Sequence, residues 1–544
     1  MIRLIEKYGL SPVQIVFLGC SIGFAYLLTF LVVAATFLKT EPTVFLTHNH
    51  DEKKSYINRI AIYDRNGIPL SSSFYVADIY VHPNRISSAD EVAKTLEKYL
   101  SMDYSEIATL LNQHRNYAVV AKGINPQLAK AIVKHINKPR IIGYHPSELR
   151  KIHCSDYLLP LIGRVSWNGK GAFGLELYFD KSLQTDNNKP SKHNDGLYLT
   201  IDTELQDITD QILQRSFKVL QPDRLLAVIA NPRTGDILAY SQIEKKARPV
   251  PQLLLTEFVF EPGSIFKVFT LALMLENKIT TPDEKLYCEN GSFKIGGHLV
   301  EDVHPYGMLT TTEVFSKSSN ICMGKLALRL NKHDYMDGIR KFGFGRRVLN
   351  FSGESNGILF NPVSLKSVDA FVMSYGHGIA VTPIQLLQAF TAFFNQGRMI
   401  KPKVSTDSQL GTLQVVSAST AHEIKKMLVD AVINGTGKHA KVTEVVTGGK
   451  TGTAIKIRHG GKGYLEKSYV SSFLGFAEFD SGRQMIILII VDEPRGGKYL
   501  AGETAAPVFR QIVEKIKDFR LYERLLNPTK DNLSETDENP LKDT

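Results

Sequence analysis

The chain has 544 residues, too many for one ordinary hydrophobic core, so two or three domains are expected. With 43% hydrophobic and 22% charged residues it has a globular composition, which excludes wholesale disorder. The net charge of +10 is modest at this length and reads as a solvated basic surface, with an anionic membrane face or wall polymer as the alternative partner. No basic stripe with interleaved aromatics is present, so nucleic acid is not an expected partner.

The four cysteines are Cys20, Cys154, Cys288 and Cys322, and none forms a CxxC pair. Neither they nor the 15 histidines show metal-ligand spacing, so no metal site is expected. Free buried thiols are the reading adopted for the cysteines, with a Cys288–Cys322 bridge as the alternative in an oxidising compartment.

From Tyr8 to Leu38 there is no charged side chain. As a helix, the apolar stretch 15–38 would run about 36 Å, enough to cross a ~30 Å hydrocarbon layer. It exceeds the apolar region of a signal peptide, about 7–15 residues. Residues 1–12 therefore read as a cytoplasmic stub and 13–38 as a single transmembrane anchor. Arg3 and Lys7 before it are balanced by Lys39, Lys53 and Lys54 after it, so charge leaves its orientation open.

Residues 39–183 mix short strand and helix patterns, an α+β domain; Ile60–Tyr63 reads as a strand ending in an Asp-Arg-Asn-Gly turn. Residues 184–196 are almost wholly polar and read as a linker. Leu197–Ile201 reads as a strand, followed by an amphipathic helix from Thr203. Leu226–Ala230 and Ile237–Ser241 flank a Pro- and Gly-containing turn, which predicts a hairpin.

Three more strands are expected at Val445–Ile457, Ser471–Phe479 and Met485–Asp492. The unbroken apolar run 485–491 suits a central strand buried on both faces. A long helix over Ala505–Leu526 would cover the sheet, and 527–544 reads as a disordered tail. Residues 197–526 then form an antiparallel sheet sandwiched by helices.

Three motifs carry chemistry. In Glu261-Pro-Gly-Ser-Ile-Phe-Lys267, Ser264 and Lys267 lie three apart on one helical face. Lysine activates a serine hydroxyl once desolvation depresses its pKa. S-x-x-K alone is weak, arising by chance about twice in such a chain. Ser318-Ser319-Asn320 adds a second hydroxyl for proton relay and an amide that donates to and accepts from a peptide. Lys450-Thr451-Gly452-Thr453 adds a cation and two hydroxyls for a carboxylate, and a glycine that admits substrate backbone to a strand edge. Their order and number make a catalytic serine the reading.

The combination of S-x-x-K with K-T-G is shared by penicillin-binding proteins and class A β-lactamases. From the anchor to about residue 515, this chain resembles class B penicillin-binding proteins. The resemblance extends to 62–67 (IYDRNG), 174–178 (GLELY), 199–202 (LTID), 230–239 (ANPRTGDILA) and 375–385 (YGHGIAVTPIQ). Phe342-Gly-Phe-Gly345 and Ser352-Gly-Glu-Ser355 look most like the division-type, septal branch. Ile60 stands where relatives carry glycine after Arg59, and the usual elements near 151–163 are replaced.

The resemblance implies a serine β-lactamase-like transpeptidase domain on a pedestal (dimerisation-type) domain, anchored in the bacterial cytoplasmic membrane with its catalytic part outside. It implies a D,D-transpeptidase that cross-links peptidoglycan stem peptides and is acylated by β-lactams. Ser264, Lys267 and Ser318 would be catalytic; Asn320, Lys450, Thr451, Gly452 and Thr453 would bind substrate. The backbone N–H groups of Ser264 and Thr453 would form the oxyanion hole. No cofactor or glycosyltransferase domain is expected; a SEDS-type glycosyltransferase and division proteins are the implied membrane partners. An elongation-type enzyme, a D,D-carboxypeptidase and a non-enzymatic β-lactam-binding scaffold or sensor remain the alternatives.

Overall fold

The computed structural model describes residues 58–113, 115–185, 196–246, 248–457 and 464–526. The expected stub, anchor and tail lie outside them, as does most of the expected linker. Among the described residues, no helix is long and apolar enough to cross a membrane.

The first domain is built on β1 (Ile62–Tyr63), β2 (Pro69–Val81), α1 (Ala89–Tyr99), α2 (Tyr104–Leu111), β3 (Ala118–Ile124), α3 (Pro126–Ile136) and β4 (Ile142–Ile152). The long β2 pairs antiparallel with β1, β3 and β4. β1 also pairs in parallel with β5 (Leu197–Tyr198), so the sheet is mixed. Helices α1 to α3 cover it, burying Val92, Leu96, Ile107 and Ile132 against Ile79 and Val81. β5 is shorter than the strand expected over 197–201. Gln184 and Thr185, expected to open the linker, pair with Asn58 and Arg59.

A buried charge cluster holds the base of this domain. Glu176, fully buried, accepts from Arg59 Nε at 2.7 Å, Arg150 Nε at 2.8 Å and Ser71 Oγ at 2.8 Å. Asp64 fixes the junction with the second domain: it accepts from the N–H of Asn66 and Ile68, each at 2.8 Å, and from Thr203 Oγ1 at 2.8 Å. Thr203 opens the next helix, which Asp202 caps through Leu205 N at 3.1 Å. Asp202 also accepts from Asn66 Nδ2 at 2.9 Å, so the aspartates of the IYDRNG and LTID segments both serve the joint between domains.

The second domain is centred on an antiparallel sheet in the order β7-β6-β12-β11-β10. Its strands are β6 (Arg224–Ala230), β7 (Ile237–Glu244), β10 (Val446–Ile457), β11 (Tyr464–Glu478) and β12 (Gln484–Asp492). β8 (Ser292–Ile295) and β9 (His298–Glu301) form a separate hairpin. The central β12 is buried along its whole length, as its apolar run requires. Alternation splits it between two cores: Ile486, Leu488 and Ile490 face one, Met485, Ile487, Ile489 and Val491 the other.

The second of these cores is closed by α4 (Thr203–Leu220) and by α9 (Ala505–Asp518). The long helix expected over 505–526 breaks at Arg520, whose φ of 51° starts a separate turn, Leu521–Leu525. The first core holds α5 (Lys267–Glu276), α6 (Asn320–Ala327), α7 (Lys332–Lys341) and α8 (Ala418–Ile433). From Lys267 to Met274 every residue of α5 is buried, matching its all-round apolar sequence.

Cys288 and Cys322 are joined in a disulfide, with Cα atoms 5.1 Å apart, so the reading of free thiols is corrected for this pair. Thirty-four residues separate them, and only packing brings the excursion that contains the β8–β9 hairpin onto α6. Cys154 is free, half-buried, and its thiol pKa is pushed up to about 12 by burial.

The glycine of Lys450-Thr-Gly serves a packing role that the sequence does not show. A Cβ on Gly452 would meet Pro262 O at 2.6 Å and Ile265 Cγ1 at 3.0 Å. The space over β10 at that point is filled by the turn that carries Ser264, not by solvent. Gly452→Ala is expected to displace that turn and abolish labelling of Ser264 by a fluorescent penicillin while leaving a folded protein by circular dichroism. Replacing both bridged cysteines by serine is expected to lower stability by about 3–4 kcal/mol, read from urea unfolding.

Candidate active site

Ser264 lies in a 3-10 turn, Gly263–Phe266, that runs directly into α5. Residues i and i+3 eclipse in such a turn, which places the side chains of Ser264 and Lys267 side by side. Gly263 takes a φ of 54°, and its N–H donates to Gly376 O at 3.1 Å. Gly376 lies so close that a Cβ there would sit 2.2 Å from Gly263 O. Segment 375–385 therefore buttresses the turn.

Lys267 is fully buried. Its Nζ donates to Ser318 O at 2.6 Å and Asn320 Oδ1 at 2.8 Å and lies 3.1 Å from Ser318 Oγ. Lys450, fully buried on β10, donates to the same Ser318 Oγ at 2.9 Å. One hydroxyl thus sits between two amines. Ser318 reaches it with a φ of 63°, a left-handed conformation rare for a residue with a Cβ and common at functional sites.

The electrostatics follow from burial of two like charges. Desolvation holds Lys267 well below the usual lysine pKa; the nearby Lys450 depresses it further, and Asp302 opposes both. Desolvation brings Lys450 down to about 7. His377 is lowered to about 4, mainly by burial and also by Lys267, so it stays neutral. Glu261, three residues before Ser264, is raised to about 7 by burial while its Oε1 accepts from Gly378 N at 2.7 Å.

Ser264, Lys267, Ser318, Asn320 and Lys450, which the sequence singles out, are brought together. Gly452 packs under the Ser264 turn as described. Thr451 and Thr453 hold hydroxyls that are already engaged: Thr451 Oγ1 with Thr436 Oγ1 at 2.6 Å, and Thr453 Oγ1 accepting from Ala501 N at 3.1 Å. A hydroxyl both donates and accepts, so each retains capacity toward a ligand. Thr453 also neighbours the turn, because a Cβ on Gly263 would lie 3.2 Å from Thr453 O.

Asp302 is the residue that motif reading missed. It follows β9 and belongs to none of the motifs, yet it anchors one. Its Oδ1 accepts from Asn320 N at 2.5 Å and Ile321 N at 3.1 Å, and its Oδ2 accepts from Ser319 Oγ at 2.5 Å. This carboxylate caps α6, whose own N-cap Ser319 accepts from Cys322 N. An acidic residue between a short hairpin and a proline is too ordinary a signal to find in sequence.

Comparison with known proteins agrees with this geometry. The family described as penicillin binding protein transpeptidase domain matches residues 225–514, and the penicillin-binding protein dimerisation domain matches 54–204. Stage V sporulation protein D of Bacillus subtilis is 27% identical over 506 residues, covering 83% of this chain and 77% of that protein. Peptidoglycan D,D-transpeptidase FtsI of Buchnera aphidicola is 27% identical over 541 residues, covering 91% and 93%. The crystal structure of penicillin binding protein 2X from Streptococcus thermophilus superposes with a TM-score of 0.72 at 21% identity, covering 89% and 82%, a likeness of fold. With two buried lysines sharing the Ser318 hydroxyl and both domains matched, the chain belongs to the penicillin-binding protein transpeptidase family, of the class that joins a dimerisation domain to the catalytic one.

Proposed function

We propose that the protein is a peptidoglycan D,D-transpeptidase acting through a Ser264 acyl-enzyme, in septal wall synthesis, and that β-lactams acylate the same serine. The observation that carries this reading is the Ser318 hydroxyl shared by two fully buried lysines beside Ser264. A neutral Lys267 amine has two N–H groups and one lone pair. Ser318 O and Asn320 Oδ1 can only accept, so they use both N–H groups and leave the lone pair for a hydroxyl proton.

Lys267 takes the Ser264 proton as Oγ attacks the penultimate D-Ala carbonyl of a stem peptide. The N–H groups of Ser264 and Thr453 receive the oxyanion, a donor there being worth about 3–4 kcal/mol. Ser318 carries the proton onward to the departing D-alanine. Lys450, with Thr451 and Thr453, holds the terminal carboxylate, whose arrival favours the Lys450 ammonium. Asn320 aligns the stem, and the amine of a second stem then takes the acyl group. No cofactor enters these steps.

The domain division proposed is a 1–12 stub, a 13–38 anchor, a 39–183 pedestal, a 184–196 linker, a 197–526 catalytic domain and a 527–544 tail. The anchor would hold the catalytic domain outside the cytoplasmic membrane, beside a SEDS-type glycosyltransferase and division proteins. The uncharged run from Tyr8 to Leu38 supports the anchor, and the 342–345 and 352–355 segments support the septal assignment.

Fluorescent penicillin is expected to label the wild type and not Ser264→Ala; labelling that survives the substitution refutes the acyl-enzyme. Lys267→Ala is expected to slow acylation about 10²–10⁴-fold, and full activity would remove it as the base. Acylation is expected to fall as pH drops through the depressed Lys267 pKa, since the protonated amine cannot accept a proton. Lys450→Met removes a positive neighbour and moves that acid limb to higher pH. Asp302→Asn removes the opposing negative charge and moves it lower. Stopped-flow acylation across pH reads both signs.

A further inference from the structure

The Phe342-Gly-Phe-Gly345 segment builds something besides core. Phe342 and Phe344 are fully buried, with ring centroids 5.5 and 5.0 Å from Phe269. Gly343 and Gly345 take φ of 87° and 81°, turns that send the phenylalanines inward and lift Arg346 and Arg347 to the surface. The backbone there is pinned. Gln385 Nε2 donates to Arg346 O at 2.8 Å, and Glu354 accepts from the N–H groups of Val348, Leu349 and Phe351 at 2.6 to 3.1 Å. Glu354, the nearest carboxylate downstream, is held by these backbone N–H groups and makes no ion pair with either arginine among the described residues.

These arginines border a cleft of about 750 Å³ that Arg340, Lys341 and Lys401 also line, with Asp337 as its one carboxylate. Asp337 stands 3.8 Å from Arg340. Among the described residues no carboxylate pairs with Arg346, Arg347 or Lys401. A second cavity of about 510 Å³ shares Arg340 and Arg346 with the first; Leu359, Phe360 and Pro362 give it an apolar wall beside the polar Asn361. Leu413, in the wall of the charged cleft, is 49% exposed, and Ile358 and Val363, next in sequence to Leu359 and Pro362, are 63% and 87% exposed.

We propose that this two-part groove docks an acidic, extended segment of a partner protein, carboxylates in the cationic half and an apolar side chain in the other. Unpaired guanidiniums on a fixed backbone suit carboxylates bidentately, at little cost in ordering. The excess of positive charge selects an anionic occupant. The apolar wall of Leu359, Phe360 and Pro362 and the exposed rim favour a peptide over a phosphate polymer, which has nothing to bury there. A lipid surface is broad and flat, and the charges here line a concavity.

The test uses the protein and three probes: a fluorescein-labelled ten-residue peptide alternating Glu and Leu, inorganic polyphosphate, and vesicles containing anionic phospholipid. Fluorescence anisotropy is expected to show saturable peptide binding that weakens as salt is raised. Arg346→Glu with Arg347→Glu is expected to weaken it about tenfold or more, and Leu413→Ser to weaken it at unchanged salt dependence. Both variants should keep wild-type penicillin labelling of Ser264, which separates loss of the groove from loss of the fold or of the acyl-enzyme reading. Peptide affinity unchanged by the double charge reversal overturns the proposal. So does polyphosphate or vesicle binding that is tighter than peptide binding and lost in the same variant, since that would make the groove a phosphate or membrane site.

Discussion

Two fully buried lysine amines sharing one serine hydroxyl is the constraint to which the rest of the catalytic domain answers. Like charges so close, with water removed, cannot both remain protonated cheaply, so burial drives the pair toward neutrality. Keeping them there requires that each approach from a different, rigid element. Lys267 comes from a helix buried all round, Lys450 from a strand of the central sheet, and Ser318 from a strained link between two helices. Asp302 is the counterweight: it holds the Asn320 helix in place and is the negative charge that limits how far Lys267 is depressed.

The rigidity comes from packing rather than from the motifs. β12 gives alternate side chains to two cores, so the sheet cannot slip by one residue without exposing both sets. The Ser264 turn is wedged between Gly376 on one side and Gly452 on the other, approaches that a single methyl group would close. The disulfide fastens the excursion that delivers Asp302 to the helix that Asp302 caps. The first domain solves the converse problem. There Glu176 accepts from two guanidiniums and a hydroxyl, which offset the cost of its burial and fix the base of that domain.

Much of this is legible in the sequence because it is written in local pattern. The hairpin of β6 and β7, the central strand, the buried helix after Ser264 and the five polar residues of the site all follow from periodicity or motif. The readings that failed depend on geometry between distant segments. The bridge of Cys288 to Cys322 needs a Cα separation that no spacing conveys. The break at Arg520 needs a left-handed residue that the helical pattern of 505–526 conceals. The motif assigns Gly452 to substrate, and its contact with the Ser264 turn becomes visible only when helix and strand are packed together.

The sequence by itself determined which side chains carry chemistry, because a nucleophile, a base and a carboxylate-binding cation are properties of residue types at short spacings. It also determined the catalytic domain's central strands and the buried helix after Ser264, because alternation and helical period are local. Only the tertiary structure decided the proton affinities, the role of Asp302 and the gathering of cationic side chains around the cleft. Those depend on how much water is excluded and which charges meet, and both are set by segments far apart in the chain.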